Sequence, residues 1–238
     1  MDSDSTRKTA RLAGFLYLLS ILPGILALVY VPGKLFVEGN AAATADRLRA
    51  SGTLLRWGIG GELIGFSIFV LVALVLYRLF KPVSEGPALA MMVLILLSIP
   101  ITFVGVLPEV AALDLAGGGG AGGTSYLSAL GLHQRDALAY LCLHMHVQGF
   151  IVAQVFWGLW LIPFGICVMR SGFIPRFLGI LLMIAACGYI GSSLAELVFP
   201  RYADAVGRVT RILTLAELPI IFWLLIWGAK PQKPAHRA

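Results

Sequence analysis

Long apolar runs separated by short polar connections set the pattern of this chain. Six runs, at about 12–31, 57–80, 88–108, 145–169, 177–199 and 209–228, each hold about 20 residues. At 1.5 Å per helical residue such a run crosses a hydrocarbon core of ~30 Å, so each predicts a transmembrane helix. The clearest pair lies between His146 and Tyr189. The only charges there are Arg170 and Arg176, in the turn Arg170-Ser171-Gly172-Phe173-Ile174-Pro175-Arg176, and the stretch predicts a transmembrane helical hairpin.

The polar stretches predict the connections. Arg7, Lys8 and Arg11 precede the first run as in a signal peptide. That run is too long for a signal-peptide core and lacks a small-residue cleavage site followed by polar chain, so it reads as a retained span. Pro23-Gly24 and Pro100 predict kinks, which spans tolerate when neighbouring helices satisfy the freed carbonyl. The Ala-rich segment 32–56, with Asp46, Arg47 and Arg49, predicts a short helix on the membrane surface. Gly117 to Gly123 reads GGGGAGG, which costs too much backbone entropy to order without packing, and predicts a loop. Thr124 or Ser125 then caps a partly interfacial helix through Leu127, Leu130, His133 and Leu138 toward the fourth span. A basic tail, Lys230 to Arg237, follows the sixth. The fold class is an all-α membrane protein: residues 1–238 form one integral-membrane domain, a bundle of six transmembrane helices with short connections, one Gly-rich loop and an interfacial helix.

Composition excludes a soluble core. The chain is 59% hydrophobic and 13% charged, with a mean hydropathy of +0.90, where a soluble domain has about 25% charged residues. A net charge of +6 raises nucleic acid as a partner, but the Lys and Arg residues are scattered at span ends, where orientation signals belong. The expected partner is therefore the lipid bilayer, and no nucleic acid. Cys142, Cys167 and Cys187 are an odd number, two of them inside apolar runs, and read as small buried hydrophobes rather than a disulfide framework. With the N-terminus inside, ten of the 18 Lys and Arg fall on the cytoplasmic side, on shorter segments nearer the span ends. Both termini are thus expected in the cytoplasm of a multi-pass inner-membrane protein.

Three acids interrupt the spans: Glu62, Glu196 and Glu217. Odd-numbered spans end, and even-numbered spans begin, on one side, so all three belong to the same membrane half. Glu109, His144, His146 and Gln148 belong there too. An acid within a bilayer is costly and faces the bundle interior, so these residues are candidates for an outward acidic pocket taking a proton, a small cation or a lipophilic ligand. Gly58, Gly61 and Gly65 around Glu62 permit close helix approach, Ser192 and Ser193 precede Glu196, and Thr214 precedes Glu217. The three carboxyl groups are expected to converge, with at least one carrying a proton at neutral pH and donating a hydrogen bond to another. The blander reading is that acids near an interface reach water or bond to neighbouring helices. Gln148 and Gln154 likewise suit interhelical hydrogen bonds.

No metal site is assigned. His144 and His146 are the residues to consider, but residues two apart point to nearly opposite sides of a helix. No Ser/His/Asp order, CxxC pair, phosphate loop or H-E-x-x-H pattern occurs, and no cofactor is predicted. Three functions remain open. The first is a small binding or transport-like module, to which Pro23, Pro100, Pro163 and Pro219 would lend broken helices. The second is an intramembrane metal-dependent hydrolase using His144, His146 and the acids. The third is a structural or regulatory partner of other membrane proteins. The balance leans away from an enzyme.

Several stretches carry a resemblance. They are Arg7 to Gly14, Gly61-Glu62-Leu63, Leu76 to Pro82, Gly158 to Gly165 followed by Ser171 to Arg176, and Glu217 to Gly228. Together these resemble the bacterial integral-membrane family called domain of unknown function 4386, over nearly the whole chain. The junction of the fourth and fifth spans is the most specific part. The resemblance implies a multi-span inner-membrane protein and brings no activity, cofactor or catalytic residue with it. Members often place an Arg in the third span. Here 88–108 holds no cation, so no Arg from that span neutralises Glu62.

Overall fold

The computed structural model describes residues 3–117, 127 and 129–229, and among them the ordered elements are all helical. Six helical segments are long and apolar enough to cross a membrane: Asp4–Leu35, Ala41–Phe80, Glu85–Leu115, Leu132–Ser171, Arg176–Val198 and Pro200–Ile226. Most of the Gly-rich loop, its expected cap at Thr124 or Ser125, and the basic tail from Lys230 lie outside the described residues.

The helices run further than the apolar runs do. Helix α1 (Ser3–Ile25) passes through Pro23, opens into a wider π turn at Leu26–Tyr30, and regains α geometry in α2 (Val31–Leu35). Helix α3 (Ala41–Phe80) starts at Asn40, whose side-chain oxygen accepts the Ala43 N–H at 2.9 Å, a side-chain cap of the kind that favours Asn at this position. Its 40 residues span about 60 Å, twice the hydrocarbon core. The expected surface helix is the N-terminal part of this element, set off by a bend at Ser51, where φ and ψ are −136° and 32°.

Two expected boundaries shift in ways that matter for chemistry. Helix α4 (Glu85–Leu115) does not stop at Pro108 but continues for seven residues beyond it, so Glu109 sits on a helix wall rather than in a connection. Proline removes one N–H from the backbone ladder, and within a packed membrane helix the remaining bonds carry the turn across it. Helix α5 (Leu132–Ser171) is continuous, so His144 and His146 both lie well inside it. Helix α6 (Arg176–Val198) follows the expected fifth span closely. The sixth is not one helix. An amphipathic α7 (Ala203–Thr214) and an apolar α8 (Leu218–Ile226) are separated by a 3₁₀ turn, Leu215–Glu217. Pro219, in the first turn of α8, lacks the N–H that would have bonded Leu215.

Backbone packing forms two compact groups. The first comprises residues 1–19, 68–99 and 151–238. Its interior holds Phe80, Met91, Ile95, Trp160, Phe164 and Leu182. Here the hairpin of α5 and α6 closes at glycines. A Cβ on Gly165 would lie 2.8 Å from the Gly179 carbonyl oxygen, and one on Gly179 would lie 2.7 Å from the Gly165 carbonyl oxygen. At the turn Gly172 takes φ 69°, and the Ser171 hydroxyl donates to Val168 at 2.8 Å while accepting the Ile174 N–H at 3.2 Å.

The second group comprises residues 20–67 and 100–150. Val31, Leu35, Leu48, Leu55, Leu113 and Leu143 are part of its apolar cluster. Gly61 and Gly65 of α3 meet the first span backbone to backbone, since a Cβ there would lie 3.2 Å from the Pro23 carbonyl and 3.0 Å from the Ser20 carbonyl. The N-terminal parts of α3 and α5 are tied by an ion pair, Arg49 Nη1 to Asp136 Oδ1 at 2.8 Å and Nη2 to Oδ2 at 3.4 Å. Arg49 also reaches Asp46 at 3.0 Å.

Candidate functional site

Within the second group three side chains from three helices meet: Glu62 of α3, Glu109 of α4 and His146 of α5. All are buried, with 2%, 4% and 5% of their surface exposed, so bulk water does not solvate them. His146 Nε2 lies 3.7 Å from Glu62 Oε2 and 3.5 Å from Glu109 Oε1. One donor atom from each residue falls within 4.8 Å of the others.

Local sequence explains why they converge. The glycines beside Glu62 let α3 sit directly against the first span and turn its acid inward. The continuation of α4 past Pro108 places Glu109 one turn after Gly105. Across from Gly105 stands Gly149, where a Cβ would lie 3.8 Å from the Gly105 Cα, so α4 and α5 come close beside the site. That approach brings His146 Nδ1 within 2.9 Å of the Gly105 carbonyl oxygen. A carbonyl only accepts, so Nδ1 carries the hydrogen and Nε2 is left facing the two carboxyl groups. The imidazole is held further by the Phe150 ring, edge-on at 4.9 Å.

The carboxyl groups are poorly satisfied. Glu62 Oε1 and Glu109 Oε2 are buried and accept no hydrogen bond among the described residues. Contacts of 3.5 and 3.7 Å to Nε2 exceed a good hydrogen bond. Two carboxyl groups and one imidazole nitrogen are oxygen and nitrogen donors suited to a cation, and only a proton or a cation makes such a cluster neutral in an apolar interior.

Of the three acids expected to converge, Glu62 belongs to the second group, and Glu196 and Glu217 belong to the first. Glu196 is exposed. Glu217, on the 3₁₀ turn of the first group, accepts hydrogen bonds from the hydroxyls of Tyr17 and Tyr189. A broken sixth span turns Glu217 toward those tyrosines, which had drawn no notice in the sequence because tyrosines in spans ordinarily read as interface anchors. Gln148 is half-buried and its amide lies 3.4 Å from exposed His144, one turn before it on α5. His144 is exposed and His146 buried on the same helix, and the spacing of the two bears only on that pair. It did not exclude His146 alone with acids from other helices, and that is the set the structure brings together. Asp136 was missed as well: it is 4% exposed and paired with Arg49.

Comparison with known proteins adds a family without an assigned role. A stretch of 79 residues, 33% of the chain, is 37% identical to an uncharacterized protein of Archaeoglobus fulgidus and covers 46% of that protein, so the match spans about half its length. No solved structure matches. Residues 12–228 match the family described as Domain of unknown function (DUF4386), and the chain belongs to it.

Proposed function

We propose that this protein is a membrane-embedded binding or transport-like module whose buried Glu62–Glu109–His146 site takes up a cation. The observation that carries the reading is the pair of carboxyl groups whose buried oxygens Glu62 Oε1 and Glu109 Oε2 have no hydrogen-bond partner among the described residues. Leaving a charged group in an apolar interior without a partner costs several kcal/mol, and that cost is ordinarily met by a counter-charge or by neutralisation. A site designed only for packing would satisfy those oxygens with donors, as Tyr17 and Tyr189 do for Glu217. The expected result is that detergent-purified protein is stabilised against heat by at least one cation from a panel of alkali, alkaline-earth and transition-metal salts. The Glu62→Gln/Glu109→Gln variant should lose that stabilisation while remaining folded. Equal stabilisation of wild type and variant would overturn the reading.

The second reading, an intramembrane metal-dependent hydrolase, is favoured by the count of three protein donors, which leaves a coordination position for water. For orientation, the denser cations at the ends of 12–31, 57–80 and 145–169 support cytoplasmic termini in an inner membrane. Reporter fusions after Lys81, Arg176 and Ala238 are expected to report a cytoplasmic location, and activity of a periplasm-only reporter at Ala238 would reverse the topology. In that orientation the Gly39–Asn40 and Gly131 ends of α3 and α5 face outward, as does the end of α4 that carries Glu109.

A further inference from the structure

We infer that the cation is a divalent first-row transition metal of the Zn²⁺ class, bound by His146 Nε2 and one oxygen each from Glu62 and Glu109, with a further coordination position for an exchangeable ligand. This rests on the cation-binding reading above and names the class of ion. Four observations select it. The first is the donor set. Calcium and magnesium take oxygen ligands, in larger number and with several waters, whereas an imidazole with two carboxylates suits Zn²⁺, Fe²⁺, Co²⁺ or Mn²⁺.

The second is spacing. Donors about 2.1 Å from a tetrahedral metal stand about 3.4 Å apart. The Nε2 to carboxylate distances of 3.5 and 3.7 Å are near that value without any direct hydrogen bond to account for them. The third is the outer shell. Metal-ligating histidines commonly donate their other ring N–H to a carbonyl or carboxylate, which fixes the tautomer, and here the Gly105 carbonyl accepts from Nδ1 at 2.9 Å. The fourth is charge. Two carboxylates and a neutral imidazole sum to −2, so a divalent ion makes a buried site neutral, while a monovalent ion leaves it charged. Three protein ligands, rather than four, describe a site open to exchange rather than a closed structural one.

The test uses tag-free, detergent-purified full-length protein with metal salts as probes. Wild type is expected to bind one Zn²⁺ or Co²⁺ per chain, undisplaced by excess Mg²⁺ or Ca²⁺. The Co²⁺ form should give the strong visible absorption of a low-coordinate ion, and X-ray absorption should report one imidazole nitrogen beside oxygen donors. Loss of an outer-shell partner typically weakens metal binding 10- to 100-fold, so loss of a ligand should cost on the order of 100-fold or more. That loss is expected for His146→Ala, Glu62→Gln and Glu109→Gln, and not for His144→Ala. Tryptophan fluorescence of each variant reports folding, and the nearly isosteric Glu→Gln changes keep the test valid if His146→Ala fails to fold. Binding confined to Mg²⁺ or Ca²⁺, dependent on the two acids and indifferent to His146, overturns the metal class and leaves the cation reading standing. Zinc retained with unchanged affinity in folded Glu62→Gln/Glu109→Gln protein overturns this site. No cation bound by wild type overturns both.

Discussion

Arg49→Ala is expected to destabilise the protein by about 2–4 kcal/mol, a loss out of proportion to a single half-exposed arginine. The reason lies with its partner. Asp136 keeps only 6% of its side-chain surface exposed, and Arg49 meets it with both terminal nitrogens, at 2.8 and 3.4 Å. Removing Arg49 leaves a buried carboxylate without its cation, and the penalty for an unpaired buried charge exceeds what the pair contributes when intact. Adding Asp136→Ala to Arg49→Ala should therefore recover part of the loss. Asp46→Ala should change little, because the Asp46 side chain is 74% exposed and exposed pairs are worth about 0–1 kcal/mol. Arg49→Lys should fall between, since an ammonium does not reproduce the planar two-point contact. Denaturant unfolding of the four variants in one detergent checks the order, and an Arg49→Ala loss no larger than that of Asp46→Ala would refute it.

The parts of the fold legible in the sequence are those controlled by one dimension of the chain. A run of about 20 apolar residues has few fates besides a span, so the six membrane segments and the Arg170–Arg176 turn could be read directly. Helix ends were less legible. Pro108 is a stop signal in a soluble helix, yet α4 passes through it, because in an apolar setting the backbone gains nothing by leaving the helix. Pro219 does break its span, but only together with the 3₁₀ turn that carries Glu217. Nothing in the local sequence separates the two prolines, since the difference lies in what packs against each.

The site was half legible for the same reason. Glu62 announced itself through the glycines around it, which a lipid-facing helix would not need. The pattern puts Glu109 at a helix end, and it puts His146 in the same membrane half as the acids while giving its spacing only from His144 on its own helix. The true partners come from α3 and α4, and the contact depends on the close passage of Gly105 and Gly149. That passage is a property of two helices together. A glycine one turn before an acid on one helix, and a histidine three residues before a glycine on another, are the only traces of it in the sequence.

A second large effect is expected at the site itself, and its sign separates a functional cluster from a structural one. Glu62→Gln should abolish cation binding and at the same time raise the stability of metal-free protein, by about 1–2 kcal/mol or roughly 3–6 °C. Glu62 and Glu109 converge on His146, each with a buried oxygen that accepts no hydrogen bond among the described residues. A glutamine of the same shape carries no charge, and its amide N–H supplies a donor beside the Glu109 carboxyl group, so two acids are replaced by a donor and an acceptor. Glu62→Leu should gain less, because it removes the charge but leaves Glu109 without a donor. Thermal unfolding in chelator-treated detergent solution, followed by the same measurement with Zn²⁺, provides the check. Wild type should gain stability with metal and the variant should not, so that the two curves cross. If Glu62→Gln instead lowers stability with and without metal alike, Glu62 serves the packing of α3 and its carboxyl group is not held in reserve for an ion. Sites that bind and release a charged ligand keep polar groups unsatisfied in the empty state, at a cost in stability that the ligand offsets.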